Sequence, residues 1–377
     1  MWWSYEPYVQ EMDVWLDIFE SMVVVAPLEN GPPPEFWSPY RNSERLSVIP
    51  YQKNKGWGLN QKKTSIRDIP MMVSALVKGI TSTDAFHLRT PGNISLLGLF
   101  LAPLLQKRVC AKYAGQWPSY PGEALSYRVQ KALLRSFWFH GPVTVYGQWM
   151  NQPNHIIPFF TSVMNTEQVR MATKVAACRV LHNPIRVLFV GRLTKSKNVH
   201  ILLDALSQLE KEKVSFECRI IGDGPEKQAL EVQAKQQLVD SYNISFTGGL
   251  PFEEVLSNYE WADVLILVSE TEGWPKAIAE GMTYGLVCIG NNRGLVPQML
   301  EQERGWVVEP GNSEALVNII KRITQYPDQY CEISKRAALW AKKYSLDSLR
   351  DAIRELLIQE WKLPTSSLRP SVKKINK

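Results

Sequence analysis

Apolar positions in the second half of the chain fall into short runs that alternate with helical stretches. Arg186–Val190 (RVLFV) stops at Gly191, which suits a strand buried on both faces. Leu202, Ala205, Leu206 and Leu209 then recur at helical spacing. Phe216–Ile221 predicts a second strand, with its turn at GDGP (222–225) and a helix from Glu226 to Gln237. Ile244–Thr247 predicts a third strand ending in Gly248 and Gly249, Phe252–Tyr259 a helix, and Ala262–Val268 a fourth strand. A loop and helix from Glu272, the strand Leu286–Ile289 and a turn at Asn291–Gly294 continue the series. This alternation predicts a doubly wound parallel α/β sheet with ligands at the carboxyl ends of its strands.

The first half is α/β but less regular. Tyr8, Val9, Met12, Trp15, Leu16 and Phe19 share a helical face, and Met22–Ala26 reads as a strand stopped by Pro27. Further on come a strand at Asp84–Leu88, a helix at Ile94–Leu105 and a strand at Arg108–Tyr113. A long helix at Gly122–Trp138 and a strand at Val143–Tyr146 follow. The first regular element is thus a helix, whereas a doubly wound domain begins with a strand. The first strand and its loop are therefore expected to be missing, through a misplaced start or a truncated domain. The expected organisation is a Rossmann-like domain over 1–180, a second over 181–345, a closing helix over 346–362 and a basic, disordered tail over 363–377.

Composition changes this picture little. The chain has 377 residues, 45% hydrophobic and 21% charged, with net charge +6. That is ordinary globular composition, long enough for two domains with their own cores. The mild basic excess suits phosphate-bearing small molecules or an anionic membrane surface, and no nucleic-acid partner is expected. Cys110, Cys178, Cys218, Cys288 and Cys331 show no paired or metal-ligand spacing, so free thiols in a reducing cytosol are expected. The start, MWWSYE, is not a signal peptide, and the longest apolar run, Ile94–Leu105, falls short of the roughly 20 residues a membrane span needs. A cytoplasmic protein is expected, with the inner face of the membrane as a further setting.

The candidate chemistry lies in loops of the second half. Glu272 and Glu280 flank the start of a helix, in the run EGWPKAIAE (272–280). A buried carboxylate needs a partner, and hydroxyls or amides of a ligand supply one. Pro275 fits the first helical turn, and the amides from Gly273 through Trp274 and Pro275 to Lys276 lie at the helix start. In GRLTKSK (191–197), Gly191 lets backbone approach a ligand, while Arg192 and Lys197 add two positive charges suited to a diphosphate. An Arg and a Lys in a turn equally suit a solvated surface, and each Glu alone suits a helix-dipole or surface role. Arg128, Lys131 and Arg135, running into Phe137–Phe139, combine cations with aromatics as a membrane interface does, or form a core-facing helix with surface charges. Trp2, Trp3, Trp57 and Trp117 are candidate sugar-stacking faces or plain packing.

The runs GRLTKSK, IIGDGP, FTGGL and ETEGWPKAIAEGMTYG, in this order, resemble the donor-binding half of retaining glycosyltransferases of family 4 from Ile185 to Leu316. The resemblance implies the GT-B fold, two Rossmann-like domains facing across a cleft, with no required metal or other cofactor. It implies a nucleotide-diphosphate sugar as donor and a glycan or lipid-linked acceptor, in cell-surface polysaccharide synthesis. By the resemblance, Glu280 binds ribose hydroxyls, Glu272 holds the transferred sugar, and Arg192 and Lys197 neutralise the diphosphate. Gly273, Trp274, Pro275 and Lys276 contact sugar or phosphate, and the loops at Gly222 and Gly248 border the base. The family commonly carries a His after the strand that here reads VCAKYAG (109–115), where Lys112 or Tyr113 stands instead. His87 is the candidate replacement in the first domain, or a structural hydrogen-bonder. A phosphorylase, an epimerase and a non-catalytic partner that keeps the donor fold remain as alternatives.

Overall fold

The computed structural model describes residues 2–29, 31–33, 37–41, 44–52, 68–238, 243–364 and 368, so Trp57 and most of the expected basic tail lie outside the described residues. The chain forms two units, Met1–Val163 together with Leu346–Lys377, and Met164–Ser345.

The first unit opens with β1 (Trp3–Tyr5), then α1 (Glu6–Ile18), β2 (Met22–Leu28), β3 (Trp37–Pro39) and β4 (Leu46–Gln52). A short strand therefore precedes the first helix, contrary to the sequence reading, but it pairs antiparallel with β3 and joins no parallel sheet. Strand β2 runs through Pro27 instead of stopping there and pairs in parallel with β4, from Met22 opposite Leu46 to Leu28 opposite Gln52. Proline is tolerated because its missing N–H removes a bond on only one edge. Then come α2 (Ile69–Thr81), β5 (Phe86–Thr90), α3 (Asn93–Leu105), β6 (Val109–Tyr113), α4 (Leu125–Arg135), β7 (Val143–Tyr146) and β8 (Ile156–Phe159). Strands β5 to β8 form a parallel sheet in chain order. Its middle strands β6 and β7 are buried throughout and read as mainly apolar runs, broken by Lys112 and Thr144. The long helix expected from Gly122 to Trp138 shortens to α4. The Ser136 hydroxyl donates to Leu133 O and accepts from the Trp138 amide, ending the helix.

The second unit begins earlier than position 181. Helix α5 (Thr166–Ala177), started by an Asn165 capping box, packs against later helices of this unit. Next are β9 (Ile185–Val190), α6 (Val199–Lys211), β10 (Phe216–Ile221), α7 (Lys227–Gln237), β11 (Ile244–Gly248), α8 (Phe252–Trp261), β12 (Val264–Leu267) and α9 (Lys276–Thr283). The unit closes with β13 (Val287–Asn291), α10 (Val296–Leu300), β14 (Gly305–Val308), α11 (Ser313–Gln325) and α12 (Pro327–Ala341). All six strands are parallel, in the order β11-β10-β9-β12-β13-β14. Helix α13 (Leu346–Trp361) belongs to the first unit. Its Leu349, Ile353 and Leu357 bury with Val14 and Ile18 of α1.

Candidate active site at the sheet switch point

Strands β9 and β12 are neighbours in the sheet although β10 and β11 lie between them in the chain. The winding reverses there, which is where a doubly wound sheet receives ligands, at the carboxyl ends of its strands. The predicted motifs occupy these two loops.

The structure joins the loops by bonds that the sequence does not advertise. Ser196 O accepts from the Glu270 amide at 2.8 Å. Asn198 donates its side-chain amide to Glu270 Oε1 at 2.7 Å and to Val268 O at 3.2 Å. Asn291, at the end of β13, donates to Val268 O at 2.7 Å. Asn198 adopts φ 52°, a left-handed turn that Asn tolerates and that delivers the chain into α6. On this frame Lys197 Nζ lies 2.5 Å from Glu272 Oε1, with both side chains largely buried. Arg192 is exposed and makes no side-chain hydrogen bond or ion pair among the described residues.

Glu280 lies inside α9, only 8% exposed, and accepts from the Tyr259 hydroxyl at 2.7 Å. Burial raises its carboxyl above the usual range, and Tyr259 and Lys276 offset only part of that. Pro275 is the cap residue of α9, one position before the first helical turn expected for it. The amides that open a helix have no acceptor within it, so the start of α9 favours an anion. The Trp274 ring stacks on Trp340 at 6.5 Å and meets Tyr344 edge-on at 5.1 Å, so the side chain is packing and its backbone is what borders the loop.

The glycines serve the loops more than a ligand. The Gly191 amide donates to Ile221 O and the Gly222 amide to Gly248 O, so both donors are spent within the protein. Gly222 has φ +138°, and a Cβ there would stand 1.9 Å from Gly191 O. Only glycine lets the three loops stack this closely. Lys227 Nζ reaches the same corner, 3.5 Å from where a Gly248 Cβ would sit. Sequence reasoning missed Lys227, Asn198, Glu270, Asn291 and Tyr259. Of these, only Asn198, directly before the periodic face of α6, carried a visible signal as a helix cap.

Residues 179–340 match the family model described as glycosyl transferases group 1. The match lies within the second unit. The chain is 30% identical over 162 residues to a putative colanic acid biosynthesis glycosyltransferase of Escherichia coli K12, covering 41% of this chain and 40% of that one. It is 32% identical over 155 residues to the amylovoran biosynthesis glycosyltransferase AmsK of Erwinia amylovora, covering 38% and 37%. The matches thus span about two-fifths of these relatives. A glycosyltransferase structure from Rickettsia africae superposes with TM-score 0.65 at 17% identity, covering 92% of this chain and all of that one. Anabaena Alr3699/HepE, solved with UDP and glucose, gives 0.61 at 16% identity, covering 89% and 98%. The fold is that of GT-B glycosyltransferases, two Rossmann-like units, as the motifs implied.

Outside the group 1 segment, the first unit holds the remaining candidates. His87 on β5 is packed against Trp15 with ring centroids 4.5 Å apart. Burial lowers its imidazole from 6.5 to about 3, with Glu11 opposing, so it is neutral at pH 7. His87 lies in the first unit, whereas Lys197, Glu272 and Glu280 lie in the second. Lys112, standing near the family's His position, is buried and paired with Glu11 at 2.8 Å. On α4, Lys131 is buried against Glu123 and Arg135 stacks over Trp117 at 4.5 Å. Only Arg128 of that trio remains mostly exposed, so the helix presents no basic face. Trp117, 1% exposed, is core.

Proposed function

We propose that the chain transfers a sugar from a nucleoside-diphosphate sugar to a glycan or lipid-linked acceptor, with retention at the anomeric carbon. The observation that carries this reading is the Lys197–Glu272 pair at the β9/β12 switch point, beside the start of the helix that carries Glu280. This corner offers a cation and a helix start to the diphosphate and a carboxylate to hydroxyls. Departure of the diphosphate develops negative charge, which fixed cations and dipoles stabilise more than they stabilise the ground state. Arg192 and Lys197 supply that charge from the protein itself, so no metal is needed in this reading. The family-model match and the relatives named for colanic acid and amylovoran biosynthesis support a setting in cell-surface polysaccharide assembly.

Titration with UDP, GDP and their sugars by calorimetry tests the donor. Glu280→Gln should weaken binding of the preferred nucleotide by about 10–100-fold, as loss of charge-assisted hydrogen bonds does. The sign for stability is opposite. A carboxyl whose folded value is raised contributes fully only below its unfolded value of 4.5, and loses that contribution as pH rises through the folded value. The empty variant should therefore melt at or above the parent's temperature at pH 7. If no nucleotide or nucleotide sugar binds the parent chain, the reading is wrong. If one binds and no acceptor is ever glycosylated, the chain is a non-catalytic binder.

Among the described residues no helix is long and apolar enough to cross a membrane. Access to a lipid-linked acceptor would then rest on exposed apolar side chains, Leu125 and Val129 of α4 with Phe137 just beyond it. Phe137→Asp is expected to lower the vesicle-bound fraction in cosedimentation about tenfold, the value of one large apolar side chain.

A further inference from the structure

The loop from Glu272 to Lys276 enters α9 without a side-chain cap. Its cap residue, Pro275, has no side-chain acceptor for the first amides of the helix. A Ser or Asp there would hold the chain but would also occupy those amides. Gly273 adds backbone freedom just upstream. The path of the loop is fixed instead from behind, by the buried ring of Trp274. That ring enters an aromatic cluster formed by α12 and the residues after it. Trp274 and Trp340 stack with centroids 6.5 Å apart and planes 17° apart. Tyr344 meets Trp274 edge-on at 5.1 Å and Trp340 at 4.7 Å.

The cluster is held in turn. Lys343 Nζ lies 5.4 Å from the Trp340 ring centre and 5.1 Å from that of Tyr344. The buried Arg304 lies 5.0 Å over Trp340 and donates to Met299 O at 2.8 Å and Gln298 O at 2.7 Å in α10. At the far end of α9, a Cβ on Gly285 would stand 2.8 Å from Ser334 Oγ of α12. Ser334 thus lies beside the end of α9 and Trp340 beside its start, so α12 runs antiparallel along α9. We propose that Trp340 and Tyr344 are positioning residues for sugar transfer: through Trp274 they set where Glu272 and the first amides of α9 stand. This rests on the sugar-transfer reading of that loop. Groups placed in advance lose much of their effect when shifted by about 1 Å, and a stacked ring resists such a shift because it has few torsions to yield. Glu280 has an anchor of its own in the Tyr259 hydroxyl. The brace therefore acts on the sugar and diphosphate end of the donor and spares the nucleoside end.

Two measurements on Trp340→Ala test this, with Leu339→Ala, an exposed neighbour on α12, as the control that should match the parent in both. In the protein without ligand, amides of residues 273–277 should exchange about tenfold faster than in the parent, with residues 202–209 of α6 unchanged. By calorimetry, affinity for the preferred nucleotide sugar should fall about 10–100-fold. Affinity for the matching nucleoside monophosphate should stay within about threefold, since its contacts are distant from the brace. Trp340→Phe should recover most of both losses. If Trp340→Ala does not fold, Tyr344→Leu carries the same two measurements with the same expected directions. Unchanged exchange at 273–277 would overturn the proposal. So would an equal loss for both ligands, which marks general destabilisation, or a Trp340→Phe protein no better than Trp340→Ala. A parent chain that binds no nucleotide would sink the sugar-transfer reading, and the exchange measurement would still decide whether Trp340 holds the loop.

Discussion

Lys197→Ala is expected to lower turnover with the preferred nucleotide sugar by about 10²–10³-fold, the usual effect of removing one charge-stabilising group from a preorganised site. Lys197 reaches Glu272 at 2.5 Å, from a loop held to its neighbour through Ser196, Asn198 and Glu270. The ammonium is thus positioned before any ligand arrives. Charge on the diphosphate grows as the glycosidic bond breaks, so the loss should fall mainly on kcat and less on KM. The substitution also leaves Glu272 without its cation, which could weaken donor binding for an unrelated reason. Glu272→Gln and the double variant separate the two effects. If Lys197 acts on the leaving group, the double variant stays as slow as Lys197→Ala alone. If its role is only to neutralise Glu272, the double variant recovers most of the parent rate. Steady-state and single-turnover kinetics on the four proteins decide between these outcomes.

The second unit was legible because its strands are buried on both faces. Such strands must be apolar at every position, and Val287–Ile289 or Val264–Leu267 then read as strands without any alignment. Lys197 and Glu272 stood out as charges in loops between clear elements, and the structure pairs them. The frame behind them was not. Asn198 and Asn291 hold Val268 O from 70 and 23 residues away, and nothing local marks an amide side chain for a distant carbonyl.

The first unit read less well for a different physical reason. Strands β4 and β8 contain Pro50 and Pro158, which break the strand signal although each strand has an edge that tolerates them. On α4, Arg128, Lys131 and Arg135 recur at helical spacing and read as a stripe of membrane-interface cations or of surface charges on a core-facing helix. The structure turns that stripe toward Glu123, Trp117 and Tyr113, where a carboxylate and aromatic rings replace water. Periodicity locates a helical face but does not say what the face meets. The same holds for Glu11, which interrupts an apolar face and carried no signal in the sequence.

Glu11→Gln is expected to destabilise the first unit by about 3–5 kcal/mol, the cost of breaking a buried ion pair from one side. Glu11 is 6% exposed and bonds Lys112 at 2.8 Å and Arg89 at 2.7 Å. A neutral amide would leave Lys112, 5% exposed, with its charge uncompensated. Burial by itself would raise the Glu11 carboxyl, but Lys112 and Arg89 outweigh it and hold it well below the ordinary range. A depressed carboxyl contributes stability above its unfolded value of 4.5 and loses it as pH falls through the folded value. His87 acts in the same direction from a higher start, since its imidazole falls from 6.5 to about 3 on burial. The neutral ring therefore stabilises fully above pH 6.5 and progressively less as the pH falls toward 3. Urea denaturation of the parent should show stability falling first below pH 6.5 and more steeply below 4.5. His87→Phe should remove the first decline and leave the second, and Glu11→Gln should flatten the second. An acid profile unchanged by Glu11→Gln would mean that Lys112 is not held by this carboxylate, and that the pair is not what closes the core between α1 and β6.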